Sequence, residues 1–243
     1  DPVTHNLQRE GVQSIINPFD LYALEEGLQV REQQGGEVIV LSMGPPQAEN
    51  ALREALTYGA DAGVLLSDRA FAGADTWATA FTLAAAVRRR GGADLIFCGK
   101  QAIDGDTAQV GPELAAFLDM PHIAWARKLT FTGPRVLQVE RLLDHGYDLV
   151  EVSLPALITV VKEINTPRLP SFKAKLRAKK AVIPVWTMAD LGLTAAQVGF
   201  QGSFTRVVKV FPPSPRGQRD LLQGTPEEMA AALWSRLQEW QGH

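Results

Sequence analysis

The first 120 residues alternate two hydrophobic periods. Between Asn17 and Gly36, Leu21, Leu24 and Leu28 recur three and four residues apart, the spacing of one helix face. Asn17 suits the cap, Pro18 the first helical position and Asp20 the positive end of the dipole, and Gly35-Gly36 closes the element. "EVIVLSM" is then apolar over too short a run for a helix and predicts a buried strand. The alternation continues through helix "QAENALREALTYGA", strand "AGVLLS", helix "ADTWATAFTLAAAVRRRGG" and strand "ADLIFCG". Strands separated by helices predict βαβ units and a parallel sheet covered on both faces.

After Pro121 the period shortens. "IAWARKLTFTG", "RVLQVERLLDHGYDLVEVSL" and "ALITVV" read as strands broken by Gly-Pro and His-Gly turns. They predict a small antiparallel extension. From Lys162 the chain turns irregular, with Pro167, Pro170 and Pro184 as breakers, and "FPPSPRG" reads as extended linker. "TPEEMAAALWSRLQEWQ" closes the chain as an amphipathic helix with Thr225 as cap, Pro226 in the first turn and Glu228 completing a capping box. The predicted fold class is α/β: a doubly wound, mostly parallel sheet with an antiparallel extension and a C-terminal arm plus helix. The domain reading is 1–183 for the α/β body, with 162–183 as a loop at its end, and 184–243 for the arm and helix.

Composition narrows this picture. A chain of 243 residues that is 46% apolar can bury a sizeable core. Its net charge of −3 argues against a bulk electrostatic grip on nucleic acid. The single cysteine, Cys98, permits no internal disulfide and fits a reducing compartment. No apolar run approaches the ~20 residues of a membrane span, and the N-terminus lacks a signal-peptide pattern. The expected location is the cytoplasm, of a bacterium before an organelle matrix.

In an open parallel sheet, ligands bind beyond the carboxyl ends of the strands. The richest such end is "FCGKQAIDGDTAQVG". Gly99 and Gly105 permit sharp turns with φ > 0, and Asp104-Gly105 can turn the chain. Asp106 or Thr107 can cap the helix "TAQVGPELAAFL", leaving the N–H groups of Ala108 to Gly111 to face an anion, and Gly111 leaves room for a phosphate. An ordinary strand–turn–helix with a capping aspartate fits these residues equally well. Other signatures fail. A Walker A loop needs glycine where Asp94 stands and Ser or Thr where Gln101 stands, and no Gly-x-Gly-x-x-Gly follows a strand. The histidines show no metal spacing, Cys98 reads as core, and no serine has a nucleophile setting. No catalytic residue and no metal site is expected.

"INPFDLYALEEGL", "VLSMGPPQAENALREALTYGAD", "DLIFCGKQAIDGDTAQVGP" and "VEVSLPALITVVKEINTPRLPSF", in this order over nearly the whole chain, resemble the beta subunits of electron transfer flavoproteins. The resemblance implies an α/β nucleotide-binding fold in a heterodimer with an alpha subunit that carries a redox-active FAD. The beta subunit then holds AMP in most members and a second FAD in the electron-bifurcating branch, with NADH as electron donor. It implies nucleotide contacts at Asn17, Pro18, Phe19 and Asp20 on one wall, at Met43, and along Asp104, Gly105, Asp106, Thr107, Ala108, Gln109, Val110 and Gly111 around the phosphates. For Asn17-Pro18 alone a plain helix cap is the simpler reading, and for Met43 a core residue. The small residues of "DGDTAQVGP" resemble the second-FAD branch, so FAD is expected, with AMP as the alternative. The family pattern places a strand and a Lys-Gln-Val-Pro-like loop before the position of Asp1. Either the sequence is truncated there, which is the expectation, or that strand is absent.

"NTPRLPSFKAKLRAKKAVIPVWTMA" holds Arg168, Lys173, Lys175, Arg177, Lys179 and Lys180 and has no acidic residue. Such runs are usually solvated faces, but Leu169 and Phe172 among them suggest docking. The resemblance implies a recognition loop here whose apolar anchor enters a flavin-containing dehydrogenase, such as an acyl-CoA dehydrogenase. Phe172 matches the anchor best and Leu169 second. A non-redox nucleotide-binding regulator is the competing class, and a nucleic-acid binder is disfavoured by charge.

Overall fold

A computed structural model of the chain describes residues 15–209, 211 and 221–241. The chain divides into two compact units, residues 1–207 and 208–243.

In the first unit, helix α1 (Pro18–Gln34) leads to strand β1 (Ile39–Met43), α2 (Glu49–Tyr58), β2 (Ala62–Leu66), α3 (Thr76–Arg89), β3 (Leu95–Gly99) and α4 (Val110–Leu118). Strands β4 (His122–Gly133), β5 (Val136–Leu143), β6 (Gly146–Ser153) and β7 (Ala156–Val160) follow, then α5 (Phe172–Lys180), β8 (Val185–Trp186) and the one-turn α6 (Gly199–Gly202). Local chemistry explains the boundaries. Gly35 and Gly36 take φ of 81° and 96° to stop α1. The Asp75 carboxylate accepts from Ala78 N at 3.0 Å to start α3.

The strands form two hydrogen-bonded sheets, β1-β2-β8 and β3-β7-β4-β5-β6. The first is parallel throughout, with Ile39 opposite Ala62 and Leu66 opposite Trp186. In the second, β3-β7-β4 is parallel and β4-β5-β6 antiparallel. The expected architecture of a mostly parallel sheet with an antiparallel extension is therefore present. It is built as two ladders because β1 and β3 do not pair with each other. Strand β7 lies between β3 and β4 and is buried at all five residues, which explains why "ALITVV" reads as a continuous apolar run.

Two helices hold both sheets. On α1, Leu24 and Leu28 pack with Leu52, Leu56 and Leu65 around β2, while Ala23 packs with Ile158 and Ile123 of the other sheet. On α3, Ala86 packs against Val64 and Leu66, while Ala80 and Ala84 pack against Leu114 and Leu157. Leu28 is fully buried, and a buried leucine stabilises by about 2 kcal/mol.

Two sequence expectations change here. Residues 162–183, expected as irregular loop, contain the nine-residue α5, started by the Ser171 hydroxyl accepting from Ala174 N at 3.1 Å. Its Lys, Ala, Leu and Arg residues are all strong helix formers. The boundary at 183/184 assigns the following residues to the arm, yet β8 pairs with β2 and Val198 is buried in the first unit.

In the second unit, α7 (Pro226–Gln241) has the expected capping box: Glu228 Oε2 accepts from Thr225 N at 2.8 Å, and Thr225 Oγ1 accepts from Glu228 N at 3.3 Å. Leu233, Trp234, Leu237 and Trp240 are exposed. Apart from Phe211, the "FPPSPRG" linker lies outside the described residues. No helix among the described residues is long and apolar enough to cross a membrane.

Candidate functional site

The first turn of α1 is locked to the loop that leaves β3. Asn17 does not cap α1 through its side chain, as the sequence suggests. Its Nδ2 donates to Gln101 O at 2.9 Å, and its Oδ1 accepts from Ile103 N at 3.1 Å. Asp20 Oδ2 accepts from Asn17 Nδ2 at 3.0 Å, and Asp20 Oδ1 from Gly99 N at 2.7 Å. A residue with local capping potential is thus spent on a partner 84 positions away. Gly99 makes this possible: a Cβ there would lie 2.6 Å from the Phe19 carbonyl carbon and 2.8 Å from Asp20 N. Its φ is not in the left-handed region, so the glycine serves close approach and not the sharp turn expected of it. Protein packed around the Asp20 carboxylate raises its pKa, and its two hydrogen bonds only partly offset this, although the residue keeps solvent contact.

Beyond Gln101 the loop makes a turn at Ile103–Gly105, closed by Asp106 N donating to Ala102 O at 2.8 Å. The positive φ values fall on Asp106 (53°) and Ala108 (55°), not on Gly105. Thr107 between them and Gln109 after them are not left-handed, so the sign of φ alternates over four residues. Alternation of this kind turns successive N–H groups toward one side and makes an anion-binding concavity. Helix α4 then begins at Val110, later than the sequence suggests, and its cap position is Gln109, which makes no side-chain capping bond. Neither Asp106 nor Thr107 caps it; Asp106 Oδ1 instead accepts from Gln101 Nε2. Among the described residues, the N–H groups of Ala108, Gln109, Val110 and Gly111 have no hydrogen-bond partner. The concavity and the helix N-terminus are continuous, so the free donors and the dipole share one patch.

Gly111 does something other than admit a phosphate. It is buried against β7, where a Cβ would lie 2.6 Å from Thr159 Cγ2. The hydroxyl of Thr159 accepts from Trp125 N at 3.0 Å, so Thr159 cannot easily give way. Glu113, one turn into α4, accepts from Thr76 Oγ1 at 3.1 Å, and its Oε2 is buried without a partner. Burial raises its pKa, the nearby Asp75 charge adds to this, and the Thr76 bond acts against it. No local pattern marks Gln101, Ile103 or Thr76 as a site residue. The first two lie inside the motif "GKQAID", but their role depends on Asn17, which no local pattern reveals.

Met43 is the last residue of β1, opposite Leu66, and packs against the cluster of Val64, Leu66, Phe71, Ala86 and Val198. Cys98 sits in β3, its thiol pushed up to about 12 by burial and then by the Asp20 charge. Half-buried against the Leu114 and Leu157 cluster, the thiol stays protonated at neutral pH. No group of three or more His, Cys, Asp or Glu residues suited to a metal occurs among the described residues.

The second expected surface lies on and before α5. Leu169 is 89% exposed and Phe172, the first residue of α5, 78%. Leu176, one turn after Phe172, is also exposed, as are Lys173, Lys175, Lys179 and Lys180. Arg168 leaves the expected basic ring, whereas Arg177 stays exposed. Arg168 pairs with Glu25 and Glu32 of α1, and Arg177 Nη2 donates to Ala60 O at 2.8 Å.

The body is thus an α/β fold with a run of N–H groups at a strand end, free of partners among the described residues, and a separate exposed surface of Leu169, Phe172 and lysines. The family model described as "Electron transfer flavoprotein domain" matches residues 4–191, and the chain belongs to the electron transfer flavoprotein family. It is 49% identical over 238 residues to "Electron transfer flavoprotein subunit beta" of Thermoanaerobacterium thermosaccharolyticum, covering 98% of this chain and 91% of that protein. It is 45% identical over 241 residues to "Caffeyl-CoA reductase-Etf complex subunit CarD" of Acetobacterium woodii, covering 98% and 92%. It is 46% identical over 234 residues to "Protein FixA" of Sinorhizobium fredii, covering 93% and 82%.

Proposed function

We propose that this chain is the beta subunit of an electron transfer flavoprotein, pairing with an alpha subunit and holding an adenine nucleotide over Ala108–Gly111. The observation that carries this reading is the run of unpartnered N–H groups where alternating backbone meets the uncapped end of α4. The nucleotide proposed is FAD. A pyrophosphate needs more N–H donors than one phosphate does, and the patch offers four in succession. Gly105 has nothing within 4 Å of its missing side chain, so the loop leaves open space beside them. Asn17 and Asp20 hold the loop from below, Pro18 and Phe19 complete that wall, and Met43 closes β1 against the core. Asp104 to Gln109 form the exposed rim.

FAD held here supplies the redox chemistry. The residues of this chain bind its phosphates through backbone N–H groups, orient it through the Asn17-locked loop, and contribute no acid, base or nucleophile. In this reading the complex accepts electrons from NADH by flavin-based bifurcation in the cytoplasm and exchanges them with a flavin-containing dehydrogenase such as an acyl-CoA dehydrogenase. Leu169 and Phe172 supply the apolar contact with that dehydrogenase. The lysines of α5, with no acidic residue between Ile164 and Ala189, attract an acidic surface and speed encounter.

The test is stoichiometry. Nucleotides are released from the native heterodimer and counted. Two FAD and no AMP are expected; one FAD and one AMP would leave a beta subunit with a structural AMP, and absence of any flavin band would leave a non-redox nucleotide-binding regulator.

A further inference from the structure

The segment that carries Leu169 and Phe172 is fixed to α1 by a small number of side chains. Its chain enters from β7 and reaches α5 through residues 161–171. Asn165 Nδ2 donates to Tyr22 O at 3.0 Å and to Glu26 Oε2 at 2.9 Å. Arg168 does more. Its Nε and Nη2 donate to the two oxygens of Glu25 at 2.8 and 3.0 Å, and its backbone N donates to Glu25 Oε2 at 3.1 Å. The other side of the guanidinium reaches Glu32, with Nη1 at 2.5 Å and Nη2 at 3.1 Å. One planar fork therefore spans two carboxylates seven residues, about two turns, apart on the same helix, a geometry that lysine cannot copy. Glu25 is buried, and Gln29 Nε2 donates to it at 2.9 Å. The far end of α5 is held separately: Arg53 Nη1 donates to Ala178 O at 2.5 Å and to Ala181 O at 3.2 Å.

We propose that Arg168 is the positioning residue of the docking surface: by clasping Glu25 and Glu32 it fixes the residues that present Leu169 and Phe172, and so sets how well the partner is met. This rests on the reading of those two side chains as the docking contact. Leu169 follows Arg168 directly and is left 89% exposed while Arg168 is drawn onto α1. Ser171 and Phe172, which start α5, follow within four residues of the clasp. An apolar side chain held out into water gains nothing for this subunit's own core. A carboxylate pair beneath it that removes its conformational freedom lowers the ordering cost of association.

The experiment uses the native heterodimer and a purified acyl-CoA dehydrogenase as electron donor, with KM for that dehydrogenase and kcat measured separately. Arg168→Lys keeps the charge and removes the fork; Glu32→Gln removes only the outer, exposed arm and leaves the buried Glu25 paired. Both are expected to raise KM, Arg168→Lys by about tenfold or more since small displacements of a contact are costly, with kcat at saturation and flavin content unchanged. Hydrogen exchange across residues 166–174 is expected to speed up in parallel. Phe172→Ala, measured beside them, tests the surface itself. If Phe172→Ala raises KM while Arg168→Lys leaves it unchanged, the docking surface stands and the positioning role is overturned. Faster exchange or a lower melting temperature with an unchanged KM would likewise reduce the clasp to a structural tie. If neither Phe172→Ala nor Arg168→Lys moves KM, the docking surface falls and the proposal falls with it.

Discussion

Gly99→Ala should separate the α1 turn from the loop it locks. The new Cβ would lie 2.6 Å from both the carbonyl carbon and Cβ of Phe19 and 2.8 Å from Asp20 N. Ordinary contact needs about 1 Å more, and the opposing atoms are mainly backbone, so no rotamer change relieves the clash. The chain can absorb it in two ways. Overpacking without movement costs about 1–3 kcal/mol. Moving α1 away breaks the 2.7 Å bond from Gly99 N to Asp20, and hydrogen bonds to charged groups contribute about 1.5–3 kcal/mol; partial solvent contact at Asp20 favours the lower figure. Either route gives roughly 1–3 kcal/mol, or about 2–12 °C in melting temperature for a chain of this size. Thermal unfolding of the heterodimer measures the first effect, and titration with nucleotide measures the accompanying loss of affinity. Gly105→Ala is the control. Its Cβ meets nothing within 4 Å and its φ is outside the left-handed region, so stability should hold or rise by about 0.4–1 kcal/mol as the unfolded chain loses freedom. A Gly99→Ala protein within about 0.5 kcal/mol of the parent, or a Gly105→Ala protein that is the more damaged of the two, would refute the reasoning.

Glu113→Gln should stabilise the protein at neutral pH, with the gain shrinking as pH falls toward the ordinary glutamate value of 4.5. The sign follows from the raised folded-state pKa: the carboxyl's contribution is intact below the unfolded value and is lost as pH rises through the folded one, so urea unfolding at several pH values should show the two proteins converging in acid. Leu233→Asp with Leu237→Asp on α7 should weaken assembly with the alpha subunit, because Met229, Leu233, Leu237 and Trp240 form one helical stripe whose last three members are exposed; sedimentation of the mixed subunits would show it, and undiminished heterodimer would count against the stripe as an interface.

Helix and strand identities were legible wherever one face had to be buried. The leucines of α1 and the all-apolar run of β7 follow from periodicity because burial acts through side chains a few residues apart. Helix α5 escaped for the same reason: it buries only Ala178 among its nine residues, so it carries no apolar stripe, and the signal available was propensity after a capping serine. The start of α4 was misplaced because Asp106 and Thr107 have the chemistry of a cap and the structure spends Asp106 on Gln101 instead. Asn17 makes the point most sharply. Its sequence setting, Asn-Pro before an apolar run, is that of an ordinary helix cap, and nothing within ten residues distinguishes that from a residue aimed at Gln101 and Ile103. Composition around it would be the same in either case. What differs is the glycine at position 99, where any side chain would hold Phe19 away and leave Asn17 free to cap its own helix. By its sequence setting Gly99 reads as a turn residue, and its φ shows that it is not one. In this chain the glycine of the strand end and the asparagine of the helix start are one feature: the contact that turns Asn17 toward Gln101 and Ile103 is one that neither residue announces alone.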